Sequence, residues 1–196
     1  MTFNVLKSLE ERPLSWSAIN SFEYDPEQWF NNYVRGIKAS SKEMTFGSMI
    51  DKKLQEDPTF LPHVPRYPIL QHDMSARLGK IPLRGVADAY DPTIPALRDY
   101  KTGKKLWDQK RANDTGQLTM YCLLLHLTDK VKPEHVKLFI DWLPTQDSED
   151  LKTISLIDEK DIKTFETRRS MRDVLEFGVR INAVLKSMQM YVNSRA

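Results

Sequence analysis

The sequence predicts a mixed α/β fold, one central β-sheet with helices packed on it. Three observations carry that expectation. Helical patterns come first, followed by a group of strand-like runs, a helix, two more strands and a closing helix, an order that suits one mixed sheet carrying helices. Hydrophobic residues make up 40% and charged residues 29% of the chain, as in folded soluble proteins. At 196 residues the chain is long enough to bury a core without staples. We therefore expect a single domain over 1–196, with a helical segment at 1–40, a core at 41–128, and closing strands plus a long C-terminal helix at 129–196.

The run "SWSAINSFEYDPEQWFNNYV" reads as helix, with Ser15 or Ser17 as cap. Pro26 divides it, since a mid-helix proline loses a donor and clashes with the preceding turn. Gly36 supplies a stop, and Trp16, Trp29 and Phe30 read as core anchors. A helix is expected over 44–56, where Phe46, Met49, Ile50 and Leu54 recur at helical spacing. Three prolines make 57–66 a loop. Strands are expected in "RYPILQ", "ARLGKI", "PLRGVADAY" and "ALRDYKT", the last two joined by a turn at "DPTIP". Residues 113–127 read as helix capped by Asn113 or Asp114, followed by strands "HVKLFIDWL" and "LKTISL". A long helix is expected from Asp158 to about Asn193, interrupted near Gly178.

Several function classes are excluded early. The one cysteine, Cys122, cannot build a disulfide framework or a Cys-based metal centre, and its apolar setting "MYCLLL" suits a buried, inert thiol. The four histidines show no HxxxH or HExxH spacing, and no GxSxG, GxGxxG or GxxxxGK[ST] motif occurs. The N-terminus resembles neither a signal nor a transit peptide, and no apolar run reaches spanning length. The expectation is an intracellular, cytoplasmic protein with no membrane partner. A formal charge of +2 makes any nucleic-acid surface a matter of local clustering.

The chemistry concentrates in "GVADAYDPTIPALRDYKTGKK". If "PLRGVADAY" and "ALRDYKT" form a hairpin around a four-residue loop, Pro92 to Pro95, then Asp88 lies opposite Asp99. Like charges facing each other in a sheet are destabilising, and a divalent cation offsets that directly. Hard cations such as Mg²⁺ take carboxylate oxygens. Lys101, on the same face as Asp99, would stand beside the ion as a fixed positive charge, an arrangement suited to phosphodiester hydrolysis. Spacing alone is met equally by solvent-facing polar residues on an amphipathic hairpin.

Five motifs in order resemble the RecB-like branch of the PD-(D/E)XK nuclease superfamily. They are "SWSAINSFEYDPEQWFNNYVRG" for the N-terminal S-x-S…P segment, "FGSMID", "GVAD", "DYKTG" and the pair Gln117 and Tyr121. The resemblance implies a restriction-endonuclease-like core and a metal-dependent deoxyribonuclease using Mg²⁺ or Mn²⁺. It favours an exonuclease on DNA ends or single strands over an endonuclease, serving repair, recombination or phage replication. By residue it implies Asp88 and Asp99 as metal ligands, the Tyr100 carbonyl as a further ligand, and Lys101 as the catalytic lysine. Gln117 and Tyr121, four apart on one helical face, would brace the site and the strand.

Two departures stand out. Asp51 replaces the branch's histidine, still a ligand for a hard cation, and Asp25-Pro26 replaces its Cys-Pro, so no iron–sulfur cluster is expected. Lys104, Lys105, Lys110 and Arg111, with Trp107 among them, could form a positive lip that guides a phosphate backbone and stacks unpaired bases. Taken singly, these lysines fit a solvated loop equally. The alternative reading is an inactive nuclease-like domain that binds DNA as a subunit of a larger complex.

Overall fold

In the computed structural model, which describes residues 3–37, 41–148 and 153–195, the chain opens with four helices. These are α1 (Val5–Ser8), α2 (Trp16–Tyr24), α3 (Pro26–Tyr33) and α4 (Lys42–Glu56). The Ser15 side chain caps α2. Asp25 ends α2 and caps α3 by accepting the Gln28 N–H at 3.0 Å, with Pro26 in the first turn. Proline there loses only a donor that would be orphaned anyway, so the expected division at Pro26 is observed.

The sheet holds β1 (Ile69–Leu78), β2 (Ile81–Asp91), β3 (Ala96–Gly103), β4 (Lys137–Asp147), β5 (Ile154–Leu156) and β6 (Lys163–Thr167). Strands β1, β2 and β3 run antiparallel in sequence order, and β3 pairs in parallel with β4. A parallel step needs a crossover, supplied here by α5 (Gln109–Asp114) and α6 (Gly116–Asp129). The far edge of β4 takes both β5 and β6.

Two apolar layers cover the faces. On one, α6 is buried from Leu118 to Leu125 because the sheet lies on one side and α2 and α7 (Met171–Ser194) on the other. Such a helix is apolar nearly all round. The α7 stripe of Val174, Phe177, Ile181, Val184, Met188 and Val192 closes that layer. On the opposite face α4 and its following loop pack Ile50, Leu54, Leu61 and Val64 against Ala89, Tyr100 and Leu143.

The elements differ from the sequence expectation in four places. The two short strands at "RYPILQ" and "ARLGKI" are one strand, β1, turning at Gly79 (φ +60) into β2. The polar "HDMS" between them hides a strand that buries only Met74. Thr115, not Asn113 or Asp114, caps α6, because those two finish the separate helix α5, capped by Asp108. The closing helix starts at Met171, on a capping box of Ser170 and Asp173, and runs unbroken through Gly178. Its expected first third is a 3-10 turn at 159–161 followed by β6, an edge strand whose charged, exposed residues mimic a helical surface. The first two residues of the expected strand "LKTISL" lie outside the described residues. No helix among the described residues is long and apolar enough to cross a membrane.

Candidate active site

The expected register is found. Asp91 pairs with Ala96 and Ala89 with Arg98 around a four-residue loop, a register that carried one residue further sets Asp88 across from Asp99. Backbone pairing stops there, at Ala89 and Arg98, and beyond it the strands part. A strand donor released this way needs another acceptor. The Tyr100 N–H finds it in Asp88 Oδ2 at 2.6 Å, which pulls the carboxylate into the gap between the strands.

Asp99 points to the α6 side and is 1% exposed. Its Oδ1 accepts from Gln117 Nε2 at 2.7 Å, and the same amide donates to the Tyr121 hydroxyl at 2.7 Å. That hydroxyl lies 2.7 Å from the Val86 carbonyl and 3.1 Å from Asp99 Oδ1. Gly85 makes room for the ring: a Cβ there would lie 3.2 Å from the Tyr121 ring and 2.8 Å from Leu124. The glycine of "GVAD" is thus required by close approach. Asp99 Oδ2 faces Lys101 Nζ at 2.6 Å, yet it is buried with no hydrogen bond in good geometry.

Asp51 joins from α4, half-buried, close enough for Asp99 to act on it. Burial and then the charge of Asp99 push the Asp51 carboxyl up to about 6. Burial first, then the charges of Asp99 and Asp51, raise Asp88 well above the ordinary carboxylate range. Burial works against a charged Lys101, but Asp99, Asp88 and Asp51 outweigh it and raise its pKa. The lysine is 28% exposed at its side chain, so it stands at the mouth of the cluster.

One contributor is not legible as a motif. Gln71 donates to Asp88 Oδ1 at 3.3 Å from a left-handed backbone, φ 49, and the β1–β2 ladder skips its position. A non-glycine residue held there carries local strain. No glycine or asparagine marked the bend.

The lip residues divide. Lys105, Lys110 and Arg111 line a cavity of about 790 Å³ that also reaches Lys101 and Gln117. Lys104 does not line it but pairs, together with Lys42, with Asp147. Trp107 is 8% exposed, and the Arg111 guanidinium covers its ring at 4.0 Å. It therefore serves the core, not as an open stacking platform. Trp16, expected as a core anchor, is only half-buried and lines that cavity.

No family model matches the sequence, and no curated protein matches it. Solved structures match it by shape. A candidate exonuclease from Eubacterium rectale superposes with a TM-score of 0.58 at 12% identity, over 98% of this chain and 85% of its own. A phage-related exonuclease from Haemophilus somnus 129PT gives a TM-score of 0.54 at 16% identity, over 92% and 83%. The likeness to these two structures is one of fold. Within this fold, α4, β2, β3 and α6 bring Asp51, Asp88, Asp99, Lys101, Gln117 and Tyr121 to one place.

Proposed function

We propose that this chain is a metal-dependent deoxyribonuclease of the RecB-like branch, an exonuclease acting on DNA ends or single strands. The observation that carries the reading is the imbalance of charge. Asp51, Asp88 and Asp99 share one ammonium, that of Lys101. Fully ionised, three carboxylates and one lysine leave two negative charges, the charge of one divalent cation. The buried Asp99 Oδ2 faces Lys101 Nζ at 2.6 Å, the same ammonium that must also offset Asp88 and Asp51. Among the described residues no three His, Cys, Asp or Glu side chains already form a cage. An ion held by Asp88 and Asp99 and otherwise by water would be Mg²⁺ or Mn²⁺, since Mg²⁺ keeps several waters and takes one or two carboxylates. The names of the two structural neighbours point the same way.

Asp88 and Asp99 would hold the ion, with Asp51 and the Tyr100 carbonyl as further oxygen donors. Bound there, it would polarise a phosphoryl oxygen and lower the pKa of a bound water. Gln117 fixes the rotamer of Asp99, and Tyr121 fixes Gln117. The raised pKa keeps Lys101 charged, which fits it to stabilise developing negative charge and not to abstract a proton. Asp51, where the branch has histidine, still offers a hard oxygen ligand. Asp25, in place of the cysteine, caps α3.

The test is digestion of end-labelled linear and circular single-stranded DNA with Mg²⁺, Mn²⁺ or EDTA, beside Lys101→Ala. We expect loss of the linear substrate alone, abolished by EDTA and by the substitution. Binding without cutting under either metal would replace this reading with that of an inactive DNA-binding subunit.

A further inference from the structure

The 790 Å³ cavity has two unlike walls. On the side of the β3–α5 connection and α5 stand Lys105, Lys110 and Arg111, and Arg180 reaches in from α7. With Lys101, five basic side chains line it against two acidic ones, Asp108 and Asp114; of the five, Lys110 is paired with Asp114 and Arg180 with Glu23. The other wall is α2. Trp16 and Asn20 line the cavity from there, one helical turn apart and so on one face.

Trp16 is held as a fixed feature. It opens α2 directly after the Ser15 cap. Its six-membered ring lies so close to α6 that a Cβ on Gly116 would come within 2.2 Å of it, so the glycine is required for the indole to sit there. On its far side a second cavity, about 330 Å³, is lined by Trp16, Gln117 and Tyr121. Trp16 and Gln117 therefore line both spaces, and Gln117 is the residue that bonds Asp99. Trp29, Trp107 and Trp142 are all buried, which leaves Trp16 as the most exposed indole, packed beside Phe177 and with the Arg180 guanidinium 5.5 Å from its ring, against 4.0 Å for Arg111 over Trp107.

We infer that this cavity is a binding groove for an unpaired strand, with Trp16 as the stacking platform for a base beside the scissile phosphodiester. The strand would lie with its phosphates along the basic wall and its bases toward α2, where the Asn20 amide meets a base edge. Aromatic stacking is tolerant of sequence and needs a base out of its duplex. The groove would thus select single-stranded over paired DNA. This inference rests on the nuclease reading above and deepens it by naming the substrate form and a positioning residue.

The test uses the intact protein in EDTA, so that nothing is cut, titrated with oligo(dT) while tryptophan fluorescence is followed. We expect quenching in the wild type. Trp16→Phe should abolish most of that quenching while keeping much of the affinity. Trp16→Leu should weaken oligo(dT) binding roughly 5- to 150-fold, the range for loss of one stacked base, and bring single-stranded and duplex affinities closer together. Melting curves establish that each variant is folded. If Trp16→Leu does not fold, the wild-type quenching and the Trp16→Phe result decide. A wild type that cuts DNA but shows no quenching, or a Trp16→Leu variant with unchanged affinity, would overturn the inference and leave the nuclease reading intact. A wild type that neither binds nor cuts any DNA would remove both.

Discussion

Two buried charge clusters sit on opposite faces of β3, one residue apart, and they are built on opposite terms. On the α4 face, Arg98 meets Asp141 one to one. A single guanidinium nitrogen, Nη1, lies 2.8 Å from each carboxylate oxygen, Thr164 donates at 2.5 Å, and Tyr67 and Phe139 flank the guanidinium. Only Arg98 Nε lacks a partner. On the α6 face, Asp99 and Lys101 act on Asp88 and on Asp51, which reaches them from α4, so acids outnumber the cation. The first cluster is balanced, as a structural ion pair must be to survive burial. The second holds more acids than cations, so Asp51 and Asp88 are pushed toward their neutral forms, a cost in stability of the kind that marks functional sites.

That contrast can be broken by substitution. The largest effect belongs to the balanced pair. Asp141→Ala leaves Arg98 buried and alone, and we expect a loss of about 3–5 kcal/mol in denaturant unfolding. Lys101→Ala should weigh the other way, with a smaller loss of stability, because Asp99 keeps its bonds to Gln117 and Tyr121 and can take up a proton, and with DNA cleavage falling roughly 10²- to 10³-fold, as for other preorganised charge-stabilising groups. Gln71→Leu removes a hydrogen bond to Asp88 and should lower cleavage or metal affinity about 10-fold, the lower end for residues that orient a ligand. Lys104→Ala touches only its exposed pair with Asp147 and should stay within about 1 kcal/mol in stability, with cleavage unchanged.

Much of the site was legible because it follows from pleat and register. The Pro92–Pro95 loop fixes the pairing of β2 with β3, and that register carried one residue further sets Asp88 across from Asp99. The i, i+4 spacing of Gln117 and Tyr121 brings both to Asp99. Long-range packing was not legible. Nothing in the spacing shows that the strands part at Ala89, that Gln71 turns with a positive φ, or that Asp147 draws Lys104 out of the lip. Trp107 is more covered and Trp16 less covered than the sequence led us to expect, for the same reason. Gly116 and Arg111, each from another element or turn, decide which indole is covered. Strand β6 was hidden because an exposed edge strand with alternating charges has no apolar period to read.

The most direct test of the charge imbalance is the melting temperature of the wild type and of Asp51→Asn, in EDTA and in Mg²⁺, from pH 4 to pH 8. The folded-state pKa of Asp51, about 6, lies above its unfolded value. Ionising it therefore costs stability progressively as pH rises through that window, and little below it. We predict that in EDTA Asp51→Asn melts above the wild type at pH 8, with the gap closing toward pH 4. Mg²⁺ should raise the wild-type melt at pH 8, as any ligand of the folded state does, and raise that of Asp51→Asn less. An Asp51→Asn variant that melts lower in EDTA at pH 8, with Mg²⁺ leaving both proteins unchanged, would contradict the account.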